Sequence, residues 1–290
     1  MKPFTIYHLC RESFSSLQQP LVDIIVKAAK PDMIFLLGAS LHRRRSESIF
    51  NESAPTSQHI SDCFFLVLIQ DPANKELHEW QDKIENNCKS VMPVTTIVLQ
   101  STTFEEWLKA GHKFAGAVLQ SASSIYDSGI LSWTIPPDFS NAVTIKDCER
   151  QYREGLTKAK EFLAESELFR IRKQHAIAAF MLHQSAEQAL RALLRTGTGY
   201  HANTHSIDRL INYASLISYQ LPDIFPQKTD QEKRLFNLLQ KAYIGTRYKE
   251  DYKISNDDLL CLTEKVMYIH EILPDVGKIV FNTPVLSSVQ

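Results

Sequence analysis

Apolar residues in the first half of the chain come in short runs; in the second half they recur at helical spacing. The stretch from Leu21 to Ala29 is amphipathic, and Pro31 predicts its end. Met33-Ile-Phe-Leu-Leu37 and Cys63-Phe-Phe-Leu-Val-Leu-Ile69 are continuous apolar runs of strand length, and Val94-Thr-Thr-Ile-Val-Leu99 is heavily β-branched. Between the first two runs, the polar stretch 41–60 reads as a loop. A helix is predicted over Lys75–Cys88. Thr103 and Glu106 have capping-box spacing at the start of another, and Phe114-Ala-Gly-Ala-Val-Leu119 opens a further helical run toward Tyr126. Strands alternating with helices predict a small α/β layer.

The pattern changes near residue 140. Ser132-Trp-Thr-Ile-Pro-Pro-Asp-Phe-Ser140 carries a Pro-Pro pair, which breaks regular structure and stiffens a linker. Beyond it five helices are predicted, at about 145–169, 174–196, 205–219, 229–250 and 256–273. Thr204 and Ser255 are candidate N-caps, and Gly197 and Gly199 candidate stops. The pattern thus predicts an α+β protein of two domains: a small α/β domain over 1–140 and an all-α bundle over 141–290.

One helical stripe stands out. Positions 176, 180, 183, 187, 190 and 194 share a face that is apolar except for His183 and Glu187, one turn apart. A polar pair on a buried face must be hydrogen-bonded, and His205 and Arg247 are the natural partners. The residues themselves leave two readings open: a buried network that fixes helix packing, or a groove for a nucleotide or other anion, with Tyr243 and Tyr248 offering ring faces. His183, His201 and His205 have no consistent metal-ligand spacing, so no metal is assigned.

Composition narrows the classes. The 290 residues carry 32 basic and 33 acidic side chains, so there is no global basic excess for a nucleic-acid backbone. Arg43-Arg-Arg45 and Arg170–Lys173 are local basic patches. Five widely spaced cysteines without a CxxC fit neither a disulfide framework nor a zinc site, which points to reduced thiols and a cytoplasmic location. Met1–Gln19 lacks the continuous apolar run of a secretory signal, and no run is long enough to span a bilayer.

Three separated segments carry a family resemblance: His175-Ala-Ile-Ala-Ala-Phe-Met-Leu-His-Gln-Ser-Ala-Glu-Gln-Ala-Leu-Arg-Ala-Leu-Leu194, Thr204-His-Ser-Ile-Asp-Arg-Leu210 and Ala242-Tyr-Ile-Gly-Thr-Arg-Tyr248. In this order they resemble the HEPN domain, over about 145–275. The resemblance implies a helical bundle that forms a homodimer. Many HEPN domains are metal-independent ribonucleases that use an Arg followed four to six residues later by His. Arg247 matches that Arg, but no His follows in the window; Tyr252 lies five positions on. Arg170-Ile-Arg-Lys-Gln-His175 has the spacing at the wrong place in the domain.

The first half, over about 20–130, resembles the minimal nucleotidyltransferase fold in its order of strand, Gly-x-Ser, long loop, Ser-Asp and strand. The resemblance implies that Gly38, Ser40 and Asp62 sit at a nucleotide site, with Arg43-Arg-Arg45 near phosphates and 114–126 as the helix closing the cleft. In that family an Asp-x-Asp pair and a third carboxylate bind divalent metal. Here Phe64 holds the second acid position, and Val94–Leu99 has no carboxylate. The bland alternatives are a tight turn at Gly38 and a strand-start hydrogen bond at Asp62. The combined reading is a non-catalytic nucleotide-binding or interaction protein of the nucleotidyltransferase–HEPN type, related to toxin–antitoxin pairs and taking a nucleotide, with Mg, or RNA as ligand. The alternative is an active nucleotidyltransferase or a HEPN ribonuclease.

Overall fold

The computed structural model describes residues 7–44, 57–72, 75–131, 133, 145–248 and 251–282, with backbone alone at 7–15, 42–44, 57–59, 145 and 279–282. The chain divides into two compact units, Met1–Asn141 and Ala142–Gln290.

The first unit is built on a mixed four-stranded sheet in the order β3-β2-β1-β4. β1 (Met33–Arg44) pairs antiparallel with β2 (Ser57–Ile69) and with β4 (Ser123–Asp127); β2 pairs parallel with β3 (Val94–Gln100). The parallel pair requires a crossover, which α2 (Leu77–Cys88) supplies. Cys63, Phe65, Val67 and Ile69 face one side of the sheet, where they share a core with Ile84 and Cys88 of α2 and with Leu21, Val22 and Ile25 of α1 (Tyr7–Ala29). On the other side Phe35 packs against Phe104 of α3 (Ser101–Lys109) and against Trp133. Burial on both faces explains why the β2 run is continuously apolar.

Four expectations for this unit are corrected. α1 does not begin at Leu21 but runs through Pro20, because one lost backbone donor is outweighed by the stripe it buries. The stretch 41–60 is not simply a loop: β1 and β2 continue as a paired ribbon out to Arg44 and Ser57, since ladder bonds need no apolar side chains. Thr103 lies inside α3, which starts at Ser101, whose hydroxyl binds the Asp32 carboxylate. The run toward Tyr126 ends as helix α4 at Ser121 (Lys113–Ser121), and Ser123–Asp127 is an edge strand on β1. Arg43-Arg-Arg45, as a side-chain cluster, lies outside the described residues.

The second unit is a bundle around α6 (His175–Thr198), which packs against α5 (Ile145–Ile171), α7 (Ile207–Ala214), α8 (Asp230–Tyr248) and α9 (Asn256–Asn282). Leu182, Ala186, Ala189, Leu190 and Leu193 of α6 are fully buried. Gly199 ends α6 in the left-handed conformation, φ 80°, whereas Gly197 stays helical. The Ser255 hydroxyl accepts from the Asp258 amide, as a cap should. At α7 the cap is Ser206 rather than Thr204, whose hydroxyl instead accepts from the Ser206 amide. α7 stops at Ala214, short of the expected 219, and α9 continues through Pro274 to Asn282.

Candidate functional site

Glu187 is the anchor of the polar network in the bundle. Its side chain is 1% exposed. Its carboxylate accepts from His205 Nδ1 at 3.1 Å to both oxygens and from Gln184 Nε2 at 3.3 Å, and it pairs with Arg191 Nη2 at 3.2 Å. Arg191 also donates to the Thr204 carbonyl at 2.9 Å, so the loop before α7 is tied to α6. A buried carboxylate with this set of donors is satisfied in the way its desolvation demands.

His183 is fully buried and places Nε2 3.0 Å from the His205 carbonyl. A carbonyl only accepts, so Nε2 carries the proton. Burial lowers the His183 pKa to about 4, and the nearby charges on Arg191 and Arg247 act in the same direction. The ring is therefore neutral at pH 7, and its 3.7 Å approach to Glu187 is not an ion pair.

Arg247 does not meet Glu187, contrary to the expectation from the stripe. Arg191, one turn after Glu187 on α6, takes that place. The i, i+4 spacing was the available signal. Arg247 donates instead from Nε to the Tyr243 carbonyl at 3.0 Å, and its Cζ lies 3.8 Å from the Tyr243 ring centroid. The Phe180 and Tyr248 rings stand farther off, at 5.7 and 5.3 Å. Among the described residues nothing hydrogen-bonds its two terminal nitrogens.

His205 stacks on Tyr243, with ring centroids 4.0 Å apart and 16° between planes, and the Tyr243 hydroxyl lies 2.9 Å from His205 Nε2. Tyr243 thus carries both Arg247 and His205 against its ring, whereas Tyr248, 75% exposed, offers its ring to solvent. Tyr252 is occupied elsewhere. Its hydroxyl donates to the Leu238 carbonyl at 2.9 Å, and burial pushes its pKa well up, so it cannot serve as a base. Arg170 is held by Glu167 and Asn256, away from these residues.

In the first unit the sheet register sets Ser40 opposite Asp62 and Gly38 opposite Phe64. The three candidate residues are thus neighbours near the middle of the β1–β2 ladder. Thr95 donates to Asp62 Oδ2 at 2.9 Å, while buried Oδ1 has no hydrogen-bond partner among the described residues. Burial raises the Asp62 pKa to about 6, against the pull of the Thr95 bond. Phe64, at the second acid position, is 3% exposed and packed. Among the described residues no group of three His, Cys, Asp or Glu could hold a metal ion. This donor set does not fit a two-metal centre.

The helical unit, with its central α6 and the ordered segments around Glu187, His205 and Arg247, defines an all-α module. Residues 152–276 match the HEPN domain family, and the chain carries a HEPN domain. No curated protein matches the chain. Among solved structures, a nucleotidyltransferase-like protein from Exiguobacterium sibiricum is similar, at 12% identity, covering 91% of this chain and 78% of that one with a TM-score of 0.30. A likeness at that score does not define a shared arrangement. Among the described residues no helix is long and apolar enough to cross a membrane.

Proposed function

We propose that this is a non-catalytic nucleotide-binding protein of the nucleotidyltransferase–HEPN type, with a degenerate nucleotidyltransferase-like domain over 1–140 and the HEPN domain over 141–290. It acts in the cytoplasm as a homodimer through its HEPN helices, in the manner of the toxin–antitoxin pairs that join these two modules. The observation that carries the reading is Arg247. Its guanidinium is fixed by a ring face and a backbone carbonyl, with both terminal nitrogens unengaged among the described residues. A preorganised planar donor fork beside an exposed aromatic, Tyr248, suits a phosphate and a base. In the first domain, Gly38, Ser40 and Asp62 retain the place of a nucleotide site. A lone carboxyl that holds its proton up to about pH 6 supports binding without metal-dependent transfer.

The test is binding of a 5′-fluorescein-labelled hexauridylate to the full chain. Arg247→Ala should weaken it by about 1.5–3 kcal/mol, the worth of a charged hydrogen bond, while leaving the melting temperature within about a degree. Unchanged binding in that variant removes Arg247 from the site. Nucleotide transfer to protein or RNA in magnesium or manganese, lost in Asp62→Asn, would revive the enzyme reading. One observation favours the ribonuclease alternative: His205 stands oriented beside the Arg247–Tyr243 stack, on a different element from the family's motif. Arg247-dependent cleavage of the same hexamer without metal would establish that alternative.

A further inference from the structure

The inner face of α9 is settled by packing. Leu259, Leu262, Val266, Ile269 and Leu273 are buried, and the helix lies against α5, α6 and α8. The outer face is less ordinary. Leu260, Met267 and Tyr268 are exposed on it, although the solvent side of a helix is normally polar. Leu260 and Met267 stand seven residues apart. Asp257, Glu264 and Glu271, also exposed, repeat at the same interval. A straight helix drifts about 20° per seven residues, so two such intervals keep a row on one side. The rows are neighbours: Glu264 follows Leu260 by one turn, Tyr268 follows Glu264, and Glu271 follows Met267. The outer face thus interleaves carboxylates with apolar side chains over about 21 Å of helix axis.

The charge of this face is not neutralised within the molecule. Among the described residues no Lys, Arg or His pairs with Asp257, Glu264 or Glu271. Lys265, next to Glu264 in the chain, turns away and donates to the Ile224 carbonyl at 3.0 Å. Arg234 is taken by Asp258. A second copy of the same face would set carboxylate against carboxylate, which repels. A nucleic-acid backbone is refused for the same reason. The surface calls for a cationic partner with an apolar row of its own. A pattern that repeats every seven residues matches the period at which one helix packs along another, and charges beside the apolar row set the choice of partner.

We propose that the outer face of α9 docks a basic amphipathic helix of another protein. Its apolar row sits on Leu260, Met267 and Tyr268, and its lysines or arginines face Asp257, Glu264 and Glu271. This surface does not depend on the nucleotide reading of Arg247.

The experiment uses the full chain and two fluorescein-labelled three-heptad peptides that differ only in charge. Both have leucine at the two core positions of each heptad; the flanking positions are lysine in one and glutamate in the other. At low salt the lysine peptide should bind at least roughly tenfold more tightly, and the advantage should shrink as salt screens the charges. Glu264→Lys combined with Glu271→Lys should reverse the preference. Met267→Asp keeps the face acidic but interrupts its apolar row, and should weaken the lysine peptide by roughly threefold or more. Glu154→Lys combined with Glu161→Lys, at exposed positions of α5, measures general charge attraction and should leave both peptides unchanged. Circular dichroism checks that each variant is folded. Three outcomes overturn the proposal: no binding of the lysine peptide, an equal loss in the α5 and α9 charge variants, or undiminished binding in folded Met267→Asp. Sedimentation without peptide adds a fourth. Self-association that Met267→Asp abolishes would make a second copy the occupant of this face.

Discussion

Two carboxyl side chains show how different surroundings set different roles. Glu187 is buried among donors, so its removal leaves Arg191 and the 204–205 loop without their tie. Glu187→Ala should cost about 2–4 kcal/mol in chemical denaturation, near the range for a broken buried pair and tempered by the partial exposure of Arg191. Asp62 is half-buried, with one hydroxyl donor on Oδ2 and, among the described residues, no hydrogen-bond partner for Oδ1. Its folded pKa, about 6, is raised above the ordinary 3.8. The folded state therefore binds the extra proton between these values, and stability falls as pH rises through the window. The penalty is fully present above it. Asp62→Asn should raise stability at pH 7.5 by about 1–2 kcal/mol and change it little at pH 4. A variant equally destabilised at both pH values would mean that the carboxylate has a partner outside the described residues.

At the scale of elements, what the sequence made legible is what periodicity records. The runs 33–37, 63–69 and 94–99 lie in strands, and the stripe on 176–194 became α6, because burial imposes apolar spacing directly. Features held by the backbone left no such trace: the polar β1–β2 ribbon, the edge strand Ser123–Asp127 and the passage of α9 through Pro274. The candidate site divides in the same way. His183, Glu187 and His205 were visible as polar residues needing partners. That Arg191 answers Glu187 was legible in their i, i+4 spacing; that Arg247 turns away depends on how α8 is rotated against α6, which spacing alone does not fix. Gly245 was quoted only as part of a motif, and the structure supplies its reason. A Cβ there would lie 2.7 Å from the Tyr252 ring, whose hydroxyl is tethered to Leu238 and cannot swing clear. Gly245→Ala should lower the melting temperature. The overpacking, about 1–3 kcal/mol, exceeds the gain of about 1 kcal/mol from replacing glycine within a helix. A rise in melting temperature would show that Tyr252 yields.

For the molecule as a whole, each unit has its own core, one around the sheet and one around α6. The fragment 141–290 should therefore fold alone, with a helical circular-dichroism spectrum and a cooperative melt. An unfolded fragment beside a folded full chain would end the two-domain reading. The same fragment should carry an acid sensitivity of defined sign. His183 stays neutral down to about pH 4, whereas its unfolded counterpart protonates near 6.5. The unfolded state thus binds more protons across that window, and stability declines as pH falls through it. Burial lowers the His270 pKa too, which adds to the decline.

The close fit of Tyr252 beside Gly245 also limits what else could stand there. The place five residues after Arg247 is filled by a ring set against α8 and tied to the Leu238 carbonyl. A histidine installed there would take a half-buried place beside α8, while Gly245, kept small for the ring, would be left beside a smaller neighbour. A histidine at this place would therefore need replacements at Gly245 and around Leu238 as well before it could fit the slot that the tyrosine fills.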